Sequence, residues 1–141
     1  MRENYLITIN GTMERDDGEV DSVRLMTRGN FVRRGACYFI TYRETEATGY
    51  QGCITTVKVE GQDRVSMLRY GTTPSQLYIE KGRRHVCHYE TGHGSMSLGV
   101  AADEIESRLD DDGGRVTFSY YLDMDAQNIS KNIVDITVKP V

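Results

Sequence analysis

The chain has 141 residues and a formal net charge of −4, and charged residues of both signs make up 27% of it. This length corresponds to a single domain with one sizeable core. The mildly acidic balance offers no basic surface for a polyphosphate backbone, so we do not expect nucleic acid as a partner. No apolar run approaches the roughly 20 residues that span a bilayer, so we do not expect membrane insertion.

The cysteine content indicates a reducing compartment. The three cysteines, Cys37, Cys53 and Cys87, are an odd number and none lies in a C-x-x-C pair. We therefore predict free thiols and no disulfide. The first fourteen residues interleave polar and apolar positions and contain no apolar run of signal-peptide length. Both observations predict a cytoplasmic protein.

Alternation of apolar and polar residues dominates the chain. In residues 115–122, for example, every second residue is apolar and the residues between are mostly polar. This period is typical of antiparallel strands with one buried face. Glycine-containing and aspartate-containing turn signals separate the alternating segments. We predict about nine or ten strands, in segments at about 4–13, 20–28, 31–34, 37–45, 53–60, 64–70, 76–81, 86–92, 95–102, 115–124 and 131–139, with some neighbouring segments merging.

Residues 102–109, with the sequence ADEIESRL, differ from this pattern. Ile105 and Leu109 are four residues apart, acidic residues come early and Arg108 comes late. This arrangement predicts a short helix, with an irregular connection as the alternative.

The strands predict an all-β fold. So many consecutive antiparallel strands must divide into two sheets or close on themselves, and closure removes the unpaired edges. We predict a closed or nearly closed antiparallel meander barrel of about eight to ten strands, which forms a single domain over residues 1–141. A two-sheet sandwich is the alternative.

All three histidines lie in residues 84–94, RHVCHYETGHG. In a strand, His88 faces away from Cys87, whereas His85 and Cys87 share a face and could converge on a metal ion. That pair would need a further ligand, and two arginines precede His85. His93 lies in a glycine-containing turn. We interpret the segment as an ordinary strand and predict no metal site and no cofactor.

Several segments together carry a likeness to a known family. They are YFITYRETEATGYQGCITTVKVEG (38–61), LRYG (68–71), HYETGHGSMSLGVAADEIESRL (88–109), GGRVTFSYYLDMD (113–125) and NIVDITV (132–138). The chain resembles the bacterial YwiB-like family, a domain of unknown function, from about residue 4 to residue 139. The resemblance implies a calycin-like β-barrel, the architecture of lipocalins and fatty-acid-binding proteins. It implies no function, because membership of a barrel class does not establish transport of a ligand.

Polar residues on interior faces mark a candidate pocket. Alternation places Tyr42 and Glu44 on one face of strand 37–45. A carboxylate inside a barrel needs a partner. Arg69 alternates with apolar residues along its strand, so we predict a Glu44–Arg69 ion pair.

The family resemblance supplies matching motifs. Tyr42, Glu44 and Thr45 match a Y-x-E-T element, Arg69 begins an R-x-G element, and Tyr89, Thr91 and Gly94 match Y-x-T-x-x-G. Tyr120 lies on the apolar face of a later strand. The predicted ligand-binding residues are Tyr42, Glu44, Arg69, Tyr89, Thr91 and Tyr120.

Three functions are consistent with these residues. The first is binding of a small, partly apolar ligand in the barrel interior, because such pockets combine apolar walls with a few convergent polar groups. The second is a protein-interaction or structural module with a packed barrel, a structural Glu44–Arg69 pair and an exposed face that includes Tyr50, Tyr70 and Tyr78. The third is an enzyme with Glu44 as general base; we favour a role without catalysis. A homodimer is compatible with all three.

Overall fold

The computed structural model describes residues 2–90 and 94–141. The strands are β1 (Tyr5–Arg15), β2 (Val20–Arg34), β3 (Cys37–Arg43), β4 (Ile54–Glu60), β5 (Arg64–Tyr70), β6 (Ser75–Glu80), β7 (Arg84–Glu90), β8 (Ser95–Asp110), β9 (Gly113–Met124) and β10 (Gln127–Pro140). A 3-10 helix, η1, covers Glu46–Thr48. Each strand pairs antiparallel with the next, and β1 also pairs with β10. The prediction of a closed antiparallel barrel is confirmed, and the sandwich is excluded.

The alternating apolar residues fill much of the barrel interior. Phe118 is fully buried, and the Phe31 ring stacks on Tyr38 with 5.5 Å between the ring centres. Burial of an apolar side chain of this size stabilises a fold by roughly 1.5–3 kcal/mol. The fully buried aliphatic residues are Ile7, Ile40, Val57, Val59, Val65, Ile79, Val100, Val116, Ile136 and Val138.

The predicted helix at residues 102–109 is wrong, because β8 runs through this segment. The pairing register between β8 and β9 shifts between Ala102 and Glu104, as in a β-bulge. Ile105 beyond the shift is 5% exposed and belongs to the core. Pairing with β9 from Gly99 to Asp110 outweighs the helical spacing of Ile105 and Leu109, since tertiary context overrides weak local propensity.

β2 is one strand where the sequence predicted two, at 20–28 and 31–34. Gly29 lies in its middle and pairs with Tyr5 on β1 and Tyr42 on β3. A Cβ atom at Gly29 would collide with the Ile7 side chain and a backbone carbonyl of β3. The glycine therefore lets the Ile7 side chain and the β3 backbone lie close to β2, and it does not mark a turn.

The contact between β6 and β7, hereafter the β6–β7 seam, is the thinnest part of the sheet. In the described residues its strand pairing consists of Ser75 with Tyr89, together with a bridge at the turn between Glu80 and Arg83. The backbone N–H of Tyr78 donates to the Sγ of Cys87 at 3.4 Å. A side-chain sulfur thus contributes an acceptor to this seam.

No described residue belongs to a helix that is long and apolar enough to cross a membrane. The cysteines Cys37, Cys53 and Cys87 are free thiols, and the last two are buried.

Candidate functional site

Interior-facing polar residues on five adjacent strands form a continuous row, hereafter the polar row. Direct cross-strand pairs connect its members in the order Tyr42 (β3), Thr55 (β4), Arg69 (β5), Ser75 (β6) and Tyr89 (β7). Neighbouring strands lie about 4.8 Å apart, so each side chain stands next to the following one. The row places hydroxyl groups and one guanidinium on a single wall of the barrel interior.

The polar row faces a cavity of about 210 Å³. The opposite wall comes from β1, β2 and β10 and is apolar, with Ile9, Gly11, Val23 and Val134. Glu44 and Tyr50 reach the cavity from the β3–β4 connection. The cavity is therefore polar on one side and apolar on the other.

Local structure in the β3–β4 connection positions these two residues. The Thr45 hydroxyl caps η1 by accepting from the backbone N–H of Ala47 at 3.2 Å. Gly49 ends the helix with a φ of 83°, a left-handed conformation that glycine adopts without strain. The backbone N–H of Glu44 donates to the Cys53 carbonyl at 2.9 Å, which holds the glutamate beside β4.

The two carboxylate oxygens of Glu44 have different surroundings. Oε2 accepts a hydrogen bond from the Thr55 hydroxyl at 2.8 Å. Oε1 is buried and has no hydrogen-bond partner. A buried acceptor without a donor is costly, and more so when it carries charge. Glu44 therefore has unused acceptor capacity on an oxygen that is not exposed to the cavity.

Arg69 is 7% exposed and is held by its neighbours on the wall. Its Nε donates to the carbonyl of Thr73 at 2.6 Å. The guanidinium carbon lies 3.5 Å from the centre of the Tyr50 ring and 5.3 Å from that of Tyr89, which are cation–π distances.

The predicted Glu44–Arg69 ion pair is wrong. The carboxylate of Glu44 accepts from Thr55, whereas the guanidinium of Arg69 packs on Tyr50. Between these two described residues there is no ion pair. Thr55 pairs with Arg69 in the sheet and donates to Glu44, so it stands between the two charges. The cavity wall thus carries a negative and a positive group at separate positions.

The tyrosine hydroxyls around the cavity stay protonated to high pH. Burial, reinforced by the 2.8 Å hydrogen bond between the Tyr89 and Tyr50 hydroxyls, raises the pKa of Tyr89 to about 12. Burial raises the pKa of Tyr42 above its usual range, and the charge of Glu44 adds to the effect. Burial likewise raises the pKa of Tyr120. At neutral pH these phenols are hydrogen-bond donors.

The structure brings together most of the residues that the sequence predicted for the site. Tyr42, Glu44, Arg69, Tyr89 and Tyr120 all line the cavity. Thr91 lies outside the described residues.

The cavity residues that the sequence did not predict include four that shape its polarity or its volume: Thr55, Ser75, Gly11 and Tyr50. Thr55 and Ser75 share interior faces with Val57 and Leu77, so strict alternation could have identified both. Gly11 interrupts an apolar stripe on β1, which is a sequence signal for close approach or free space.

The fourth missed residue is Tyr50, which was assigned to an exposed interaction face, and this assignment is wrong. Its ring lies under Arg69 and its hydroxyl contacts Tyr89. The loop folds back over the barrel interior, and this cannot be deduced from alternation. Of the other tyrosines assigned to that face, Tyr70 is 53% exposed and Tyr78 is half-buried.

The histidine-containing segment has structural contacts. His85 Nε2 lies 2.9 Å from Oε1 of Glu80, across the β6–β7 seam. Cys87 is buried, whereas His88 is exposed, as their alternation predicted. The described residues contain no cluster of three or more histidine, cysteine, aspartate or glutamate side chains able to hold a metal ion. His93 lies outside the described residues.

The chain is a closed antiparallel β-barrel protein of ten strands. Its cavity is polar on one wall and apolar on the other. Residues 7–136 match the family model described as "Domain of unknown function (DUF1934)", and the chain belongs to this family.

Two comparisons with individual proteins agree with that assignment. The chain is 22% identical over 140 residues to the "Uncharacterized beta-barrel protein YwiB" of Bacillus subtilis (strain 168), a match that covers 98% of this chain and 94% of the relative. It is also similar to the crystal structure of the ywiB protein from Bacillus subtilis, with a TM-score of 0.75 and 20% identity, over 94% of this chain and 89% of that one. The YwiB-like resemblance is confirmed, and the shared fold is a β-barrel.

Proposed function

We propose that this barrel binds a small, partly apolar ligand in its cavity. One observation carries the proposal: the polar row and Glu44 converge on a cavity whose opposite wall is apolar. Protein interiors are normally close-packed, with few voids larger than a water molecule. Binding sites for small molecules combine apolar walls with a small number of convergent polar groups, which is the arrangement here.

The size of the cavity limits the ligand. Its volume of about 210 Å³ is below the roughly 300–1,000 Å³ of pockets that hold drug-sized molecules. The part of the ligand that this cavity holds is therefore small.

Gly11 keeps the cavity open. It lies on the interior face of β1 between Ile9 and Met13, and a Cβ atom built on it would have no heavy atom within 4 Å. Glycine inside a strand costs roughly 0.5–1 kcal/mol relative to alanine. Retaining the empty space for a ligand is a functional reason for that cost.

A second cavity of about 200 Å³ adjoins the first at Gly11. Its additional lining includes Met13, Asn132 and Ile133. Gly11, Val23, Tyr120 and Val134 border both spaces, so an apolar part of the ligand could extend from one into the other.

The proposal places the protein in the cytoplasm, where its free thiols would persist.

Native mass spectrometry tests the proposal. Untagged protein is incubated with a small-molecule extract of bacterial cells, and its native mass is compared with its denatured mass. The variant Gly11→Leu fills the cavity, whereas Asn10→Leu places the same side chain on an exposed position of the same strand. We expect a bound mass on the wild type and on Asn10→Leu, and none on Gly11→Leu. A bare mass for the wild type, or equal uptake by all three proteins, would contradict the proposal.

A further inference from the structure

We infer that Tyr120 and Asn132 form a second polar subsite, which binds an uncharged amide group at one end of the ligand. This inference rests on the proposed function and names the chemical class of that end. The subsite belongs to the cavity of about 200 Å³ that adjoins the first at Gly11. Tyr120 and Asn132 are direct partners in the pairing of β9 with β10, and both line this cavity.

The hydroxyl of Tyr120 is available to a ligand. Tyr120 is 6% exposed and its ring stacks on Phe118, but its hydroxyl forms no hydrogen bond within residues 2–90 and 94–141. In the same residues, the side-chain oxygens that lack a partner and are sealed by protein belong to Glu44 and Glu60. The Tyr120 hydroxyl is not one of them, so it keeps a surface toward the cavities that Tyr120 lines. Burial of an unpaired hydroxyl is costly, and a ligand that bonds it removes that cost.

Asn132 adds a donor and an acceptor beside this hydroxyl. It is also 6% exposed, and its Nδ2 donates to Oγ of Ser130 at 3.0 Å, which holds the side chain on the interior face of β10. A carboxamide has two N–H donors and one acceptor oxygen. One N–H and Oδ1 of Asn132 therefore remain without a partner in the described part of the chain, and Oδ1 is not a sealed oxygen either.

The charges around the second cavity favour an uncharged ligand group. The ionisable residues in its described lining are Asp21 and Tyr120. Asp21 is paired with Nη2 of Arg15 at 2.6 Å. Burial raises the pKa of Tyr120, so its phenol is neutral at pH 7. An ammonium or carboxylate group of the ligand would therefore meet no unpaired opposite charge in this lining, and burial of a lone charge is costly.

An amide matches the polar atoms of the subsite better than other neutral groups do. Its carbonyl oxygen can accept from the Tyr120 hydroxyl or from the free N–H of Asn132, and its N–H can donate to Oδ1 of Asn132. A ketone would leave Oδ1 without a donor. Asparagine uses its carboxamide in the same two-way manner when it recognises the adjacent donor and acceptor of adenine.

The boundary between the two cavities accounts for the rest of the ligand. Gly11, Val23 and Val134 border both spaces and are apolar. An aliphatic segment attached to the amide would pass between these residues toward the polar row. The ligand is therefore an aliphatic amide whose amide end lies at Tyr120 and Asn132.

Titration of the wild type with three compounds of the same shape, followed by two-dimensional ¹H–¹⁵N NMR, tests the inference. Isovaleramide carries the amide, 4-methyl-2-pentanone replaces its NH₂ group by a methyl group, and isovalerate replaces it by a charged oxygen. We expect isovaleramide to bind about threefold or more tightly than either analogue, since a single neutral hydrogen bond is worth about 0.5–1.5 kcal/mol. It should also shift the side-chain NH₂ resonances of Asn132.

Single-residue variants locate the binding. Tyr120→Phe keeps the ring and removes the hydroxyl, so it should weaken isovaleramide binding about three- to tenfold. Asn132→Leu should abolish the preference for the amide over the ketone. Tyr121→Phe is the matched control, because it removes a hydroxyl from the next residue of β9, which lies on the opposite face of the strand. Its affinity for isovaleramide should equal that of the wild type.

The outcomes separate the inference from the proposed function. Equal affinities for the amide and the ketone, or wild-type affinity for isovaleramide in Tyr120→Phe, would overturn the amide subsite. Failure of isovaleramide to bind the wild type would overturn it as well. In each of these cases, the uptake experiment with Gly11→Leu still decides whether the barrel binds a ligand.

Discussion

The side chains of Arg84 and Asp123 form a bidentate ion pair across the outer face of β8, directly over Gly99. Nε of Arg84 lies 2.9 Å from Oδ2 of Asp123, and Nη2 lies 2.6 Å from Oδ1. Asp123 pairs with Gly99 in the sheet. A Cβ atom on this glycine would collide with the guanidinium and the carboxylate. The ion pair therefore depends on the absence of a side chain at Gly99, because β8 lies between the strands that carry Arg84 and Asp123.

We expect Gly99→Ala to displace the ends of the Arg84 and Asp123 side chains and to destabilise the barrel by up to about 1 kcal/mol, the usual contribution of a partly exposed ion pair. Gly11→Ala is the matched control, because its new methyl group enters open space. That change should leave the free energy of unfolding unchanged or raise it by about 0.5–1 kcal/mol. Urea denaturation of both variants measures the difference. Equal stability of the two would contradict the crowding at Gly99.

The Arg84–Asp123 ion pair also predicts that the stability of the barrel falls at acid pH. The hydrogen bonds from Arg84 hold the pKa of Asp123 below its usual range. Because the folded-state pKa is lower than the unfolded value of about 3.9, the stabilisation is complete above that value and is lost as the pH falls through the folded-state pKa. Asp123→Asn should therefore show a weaker loss of stability below about pH 4 than the wild type. Asp16→Asn, at an exposed position, should follow the wild-type curve.

The cavity tyrosines predict that the stability of the barrel also falls at alkaline pH. Burial raises the pKa of Tyr42, Tyr89 and Tyr120, so stability is complete below the ordinary tyrosine value of about 10 and is lost as the pH rises above it. Ultraviolet titration of the folded protein should show incomplete ionisation of the nine tyrosines until the barrel unfolds. Tyr120→Phe should reduce the late-ionising absorbance. Full ionisation near pH 10 in folded protein would show that the cavity is open to water.

The stacking of Arg69 on Tyr50 can be measured by a double-mutant cycle. We expect Arg69→Met and Tyr50→Leu to be coupled by about 0.5–2 kcal/mol, the range of cation–π interactions from exposed to desolvated sites. Tyr50→Phe keeps the ring and removes the hydroxyl, so its coupling to Arg69 should remain. Denaturant unfolding of the single and double variants provides the energies. Additive effects of Arg69→Met and Tyr50→Leu would show that the contact contributes nothing.

Hydrogen exchange should identify the β6–β7 seam as the least protected part of the sheet. The described pairing of β6 with β7 is sparse, whereas β9 and β10 pair along most of their length. Amides that lack ladder partners exchange through small local openings. Peptide-level exchange detected by mass spectrometry should show faster uptake in residues 75–90 than in residues 113–140. Equal protection of both regions would refute a weak seam.

The sequence predicted the fold because alternation with period two is a strong local signal. It placed Tyr42, Arg69 and Tyr89 on interior faces, and the structure has them lining one cavity. The same signal was available for Thr55 and Ser75. The sequence of a single strand thus predicts which of its residues face the barrel interior.

Features that depend on closure of the barrel were not predictable in this way. The strand at residues 102–109 forms because β9 offers a partner along its whole length. The separation of Glu44 from Arg69 and the inward position of Tyr50 arise from the fold of the β3–β4 connection. Local patterns contain no information about which side chains a returning loop will contact.

Gly11 has a consequence for comparing members of the family. A large side chain at this backbone position would occupy space that both cavities share. Family members with a bulky residue there would keep the barrel architecture with less interior space than members with glycine. If the cavity binds a ligand as we propose, the residue at this one position offers a criterion for selecting the family members that bind it.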